Sequence, residues 1–86
     1  MTNLTELHVD ALLVLHQAAE LGLPVETLLA DLRRARHRHL ALPKLESALR
    51  DLADRSYATA FESGLGAKRW RITALGISML IEEGLA

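Results

Sequence analysis

The hydrophobic residues of this chain hold one spacing up to Arg55 and then change to another. Through that first stretch leucine and alanine recur at intervals of three and four, the repeat of a single helix face. From Tyr57 to Ile72 apolar and polar residues alternate, the repeat of a strand. A chain with that switch is neither an all-helical bundle nor a sandwich. It is a helical body with one local β insert. The make-up of the apolar half agrees: leucine supplies 19 residues and alanine 13, both good helix formers, while Tyr57, Phe61 and Trp70 all fall in the alternating stretch.

Four helices and a hairpin can be placed. The first helix runs from about Leu4 to Leu21, with Asn3 as N-cap, Glu6 in capping-box spacing, and Gly22 as its stop. Leu4, Leu7, Ala11, Leu15 and Ala18 mark its inner face, and Leu12, Leu13 and Val14 widen the apolar arc. That extra width is either a dimer surface or further packing inside the monomer. The second helix begins at Pro24, and Val25, Leu28, Leu29, Leu32 and Ala35 repeat in it at three and four. It runs out in Arg33-Arg34-Ala35-Arg36-His37-Arg38-His39, cations that suit a helix C-terminus.

The third helix spans Pro43 to about Arg55. Leu45, Ala48, Leu49 and Leu52 face inward; Lys44, Ser47, Arg50, Asp51 and Asp54 face out, with Arg50 and Asp54 spaced for a surface ion pair. Tyr57–Ile72 forms a hairpin around Ser63-Gly64-Leu65-Gly66-Ala67, with Trp70 and Ile72 on one face and Arg69 and Arg71 on the other. Whether Phe61 shares the face of Trp70 depends on the loop register. Thr73 caps a last helix, Ala74–Glu83, whose Leu75, Ile77, Met79, Leu80 and Ile81 exceed one stripe, and Gly84 ends it. This helix and the first are the expected homodimer surface. All 86 residues make one domain, because a chain this short holds one core at most.

Charge is segregated along the chain. Every lysine and arginine lies between Arg33 and Arg71, a window of ten bases against four acids, or +6. The remainder has seven acids and no base. A basic segment inside an otherwise acidic domain suits a surface that meets phosphate.

The order α-α-α-β-β-α resembles a winged helix-turn-helix. The stretch Trp70-Arg71-Ile72-Thr73-Ala74-Leu75-Gly76 resembles the junction between the wing and the last helix in regulators of the PadR and MarR type, and Leu45, Leu49 and Leu52 match their third helix. The resemblance covers about Val25 to Glu83, and the layout also resembles small phage-encoded winged-helix proteins. It departs where Ser56-Tyr57 stands for the usual Gly-Leu. It departs again where Ala41-Leu42-Pro43 stands for the Ser or Thr that opens the third helix. Glu46 is a further departure, a carboxylate repelled by phosphate yet able to accept from cytosine N4.

The resemblance implies a sequence-specific transcriptional regulator that binds double-stranded DNA as a homodimer. Helix 43–55 would lie in the major groove, with the 57–72 hairpin as wing. Lys44, Ser47 and Arg50 would face bases or nearby phosphates; Arg36, Arg38, Lys68, Arg69 and Arg71 would grip the flanking backbone. The other expectation is a winged-helix module that binds protein without touching DNA.

Other classes are read out on simple grounds. No cysteine is present, which excludes disulfides, thiolate metal sites and a cysteine nucleophile. The longest apolar run, Ala11 to Leu15, is far short of the ~20 residues of a membrane span. The start carries no basic stretch, so a cytoplasmic protein is expected. No phosphate loop or nucleophile–base set is present, so neither enzyme activity nor a cofactor is expected. His8 and His16 read as core or interface residues, and His37 and His39 sit among arginines that would repel a metal.

Overall fold

Thr5 and His8 set the start of the first helix in the computed structural model, which describes residues 4–64 and 66–85. The Thr5 hydroxyl accepts from the His8 backbone N–H, and the Thr5 N–H donates to Nδ1 of His8 at 3.2 Å. A ring nitrogen thus does what a carboxylate does in the usual capping box. Asn3, the expected cap, lies outside the described residues, and α1 (Glu6–Ala18) begins later than its apolar period suggests. It also ends earlier. Ala19 takes a positive φ of 54° and Ala19–Leu21 tighten into a 3-10 turn.

The early stop has a packing cause. Gly22 lies against the hairpin so closely that an added Cβ would fall 2.8 Å from the Phe61 ring. Leu23 then exchanges both backbone hydrogen bonds with Trp70, each 2.8 Å. A continued helix would carry these groups away from the sheet. Leu23 is therefore a one-residue third rung beside the hairpin.

Helix α2 (Val25–Ala35) starts one residue later than expected, with Pro24 as its extended N-cap, and stops before the basic run is finished. Arg36 to His39 form a turn, with the His37 N–H on the Leu32 carbonyl and Arg33 Nε on the Leu40 carbonyl at 2.9 Å. Helix α3 (Leu42–Asp54) carries proline in its first turn and has no side-chain cap. Its end is closed by the Tyr57 N–H on the Leu52 carbonyl, which puts Ser56 at a φ of 65°. This is the position where the winged-helix pattern has glycine, and the left-handed backbone explains that preference.

Strands β1 (Ala58–Glu62) and β2 (Lys68–Ile72) pair antiparallel, with Ala60 opposite Trp70 and Phe61 opposite Arg69. The turn between them is closed by the Ser63 N–H on the Ala67 carbonyl; Leu65 lies outside the described residues. Phe61 is therefore on the face of Arg69 and Arg71, not on that of Trp70 and Ile72. Helix α4 (Ala74–Glu82) follows at once. The Thr73 hydroxyl donates to the Ser56 carbonyl at 2.6 Å and accepts from the Gly76 N–H at 3.0 Å. Gly76 has no room for a side chain, because a Cβ there would collide with the Tyr57 carbonyl and sit 2.8 Å from Ile72. The observed order is the expected α-α-α-β-β-α, with the hairpin inserted before the last helix.

Leu12, Leu15, Leu28, Leu32, Leu45, Leu49, Leu52 and Leu80 are fully enclosed and form one core. Leu12 belongs to the extra arc of α1, and Leu13 and Val14 are half-buried against the same core. The surplus apolar width of α1 is thus largely spent within the monomer. The surplus of α4 is not: Leu75 is 53% exposed and Ile81 59%. None of the described helices is long and apolar enough to cross a membrane.

Candidate nucleic-acid interface

Helix α3 turns Leu45, Leu49 and Leu52 to the core and leaves Lys44, Glu46, Ser47 and Arg50 exposed. Two depressions flank it. The one beside its N-terminus, roughly 710 Å³, is lined by Arg36, His37, Arg38, His39 and Lys44 together with the start of α1. The one on the hairpin side, roughly 480 Å³, holds Arg50 and Lys68 on its walls, but also Glu26 and Glu46. The first sets Arg36, Arg38 and Lys44 against Glu6 and is net positive, with Arg36 already paired to Asp10; the second is evenly mixed.

The eight cationic and polar residues picked out by sequence do not share one role. Arg36 is engaged: its Nε and Nη2 donate to the two carboxylate oxygens of Asp10 on α1 at 2.7 and 2.9 Å. Nε2 of His37 lies 2.6 Å from the same carboxylate. The Arg36 hydrogen bonds hold the Asp10 carboxyl below its ordinary range; burial opposes this, and His37 adds to it. Asp10 in turn raises the Arg36 guanidinium. The turn between α2 and α3 is pinned to α1 by these bonds.

The hairpin divides its cations between two faces. Lys68 lies on the Trp70 face, its ammonium 5.5 Å from the ring centroid. Arg69 and Arg71 point to the opposite side. Arg69 reaches the Gly22 carbonyl at 3.4 Å, and Arg71 stacks 5.0 Å from the Phe61 ring centroid. Arg71 lines a third depression with His16 and Glu20, between α1, the hairpin and α4. Arg38, Lys44, Ser47 and Arg50 are exposed, and among the described residues the three cations have no ion-pair partner, so Arg50 and Asp54 do not pair despite their spacing. Of the expected set, Arg36, Arg38 and Lys44 converge on one side of α3, and Arg50 and Lys68 on the other. Arg69 and Arg71 do not join them.

Two structural partners escaped the sequence reading. Asp10 is one, since nothing local signals that an acid on α1 will meet an arginine 26 positions away. Asp51 is the other. With Nδ1 of His8 occupied by Thr5, Nε2 faces Asp51 Oδ2 at 3.3 Å and ties α1 to α3. The nearest signal was the histidine itself, a polar residue inside an apolar helix stretch. Among the described residues no three histidine or acidic side chains are grouped to hold a metal.

Comparison of the chain with protein-family models, with curated proteins and with solved structures gives no significant match.

Proposed function

We propose that this chain is a winged-helix protein that binds duplex DNA as a homodimer and regulates transcription by occupying its site. The observation that supports the reading best is the outward face of α3. Among the described residues its Lys44 and Arg50 form no ion pair, its Ser47 is exposed, and it lies between a net-positive depression and the hairpin. In this reading Lys44, Ser47 and Arg50 enter the major groove, which is wide enough for a helix. Arg38 and Lys68 take phosphates on either side and Lys44 takes one at the groove edge, three contacts that orient the protein without reading sequence. Arg36 acts through the turn it anchors. Arg69 and Arg71 lie outside the contact.

The homodimer part rests on α4. Leu75 and Ile81 on it are 53% and 59% exposed, and Leu85 just beyond its end is 43% exposed. A two-fold pair through this face would set two α3 helices about 34 Å apart for a palindromic site. Ile81→Glu should give a monomer by light scattering with unchanged circular dichroism; a dimer that survives removes this face from the interface.

Fluorescence anisotropy with generic duplex over a range of salt tests the DNA reading. About three phosphates per subunit should be neutralised, a log–log slope near −3 per subunit. The mixed charge of the hairpin-side depression, with Glu26 and Glu46 beside Arg50 and Lys68, favours a second reading, a protein-binding module. A soluble protein that binds no duplex at low salt would decide for it.

A further inference from the structure

Glu46 and Arg50 stand one turn apart on α3, both exposed and both on the wall of the hairpin-side depression. Glutamate four residues before arginine is the favourable order for a helix pair, yet no ion pair joins them. Both side chains are free to meet an outside partner. Asp54, one turn further along, does not line that depression.

A carboxylate in a DNA-facing position is repelled by phosphate and therefore needs a compensating partner. The major groove offers one: the N4 amino group of cytosine donates to a carboxylate, while guanine O6 and N7 accept a bidentate arginine. The four-residue step from Glu46 to Arg50 rises about 6 Å, and two long side chains so placed can reach neighbouring base pairs. Lys68, on the same wall, offsets the carboxylate's repulsion of the backbone.

From this we propose that Glu46 and Arg50 form a two-residue reader that selects adjacent G·C pairs, with Glu46 accepting from a cytosine and Arg50 donating to a guanine. The inference rests on the DNA-binding reading and adds its sequence class. In the protein-binding reading Glu46 would instead have no base to meet.

The test is selection from a synthetic duplex library with a randomised core, followed by anisotropy on the selected duplexes and on single-pair changes. The wild-type chain should enrich two neighbouring G·C pairs and lose about ten- to hundredfold in affinity when either becomes A·T. Glu46→Gln should move the cytosine position toward adenine, because an amide pairs with adenine N6 and N7. Arg50→Ala should abolish discrimination at the guanine position only. Both residues are exposed, and circular dichroism checks that the variants keep the fold. Binding without base preference, or a preference that Glu46→Gln leaves unchanged, overturns the reader and leaves DNA binding standing. No binding to any duplex at low salt overturns DNA binding and the reader with it.

Discussion

The cations from Arg33 to Arg36 and those from Arg38 to Arg50 are close in sequence and opposite in use. In the first group Arg33 bonds the Leu40 carbonyl, Arg34 pairs with Asp31, and Arg36 is held by Asp10. In the second, Arg38, Lys44 and Arg50 have no side-chain partner among the described residues. One group stabilises the fold and the other is available to a ligand. A count of bases in a window adds the two together, and only their partners separate them.

Substitutions on either side of that division should therefore fail in different ways. Asp10→Ala has the largest expected effect, because it leaves a half-buried His37 and the Arg36 guanidinium without their carboxylate. Thermal unfolding should show a loss of about 2 kcal/mol, or roughly 10 °C for a domain this small. The same contact fixes a pH dependence. The Asp10 carboxyl is lowered in the folded chain. Its contribution is therefore complete above the ordinary carboxylate range and is lost as pH falls through the lowered value. Denaturant midpoints of the wild type and Asp10→Ala should converge in acid; a gap that persists at the lowest pH would show that the pair is not its source.

Lys44→Ala should show the opposite pattern. Duplex affinity should fall by about 1 kcal/mol and the salt slope by about one, with a melting temperature near that of the wild type. Arg36→Ala should lower stability first and affinity little at temperatures where the fold is intact. If Arg36→Ala and Lys44→Ala prove indistinguishable in both assays, the division between bound and free cations is wrong.

The smallest effect is a gain. Ser56 holds a φ of 65° to close α3. Glycine has no penalty there, so Ser56→Gly should raise stability by roughly 1 kcal/mol. An unchanged or lower melting temperature would mean that the serine side chain compensates for its backbone.

The division between bound and free cations also marks where sequence reading runs out. Helix faces, the hairpin and the Thr73 cap were legible because each is written in local spacing. Leu45, Ala48, Leu49 and Leu52 are all buried, as their period requires. Leu23 was not legible, since one residue cannot show an alternation. The side of Phe61 was not legible either, because a loop one residue longer or shorter would have moved it across the sheet. The wide apolar arcs of α1 and α4 look alike in sequence. Only the folded chain shows that α1 has neighbours on most sides and that Ile81 of α4 has none to cover it. Of the candidate contact residues, the outward placement of Lys44, Ser47 and Arg50 was readable from helical period. The engagement of Arg36 and the turning away of Arg69 and Arg71 depended on partners distant in the chain.

The most direct test is a nuclear magnetic resonance titration of the labelled chain with duplex DNA, followed amide by amide. Salt-sensitive shifts should be confined to α3 from Lys44 to Arg50, the adjoining turn at Arg38 and the hairpin around Lys68, with α4 and the Arg71 face unmoved. Shifts centred on α4 or on the Arg71 face, or a spectrum that duplex leaves unchanged, would contradict this.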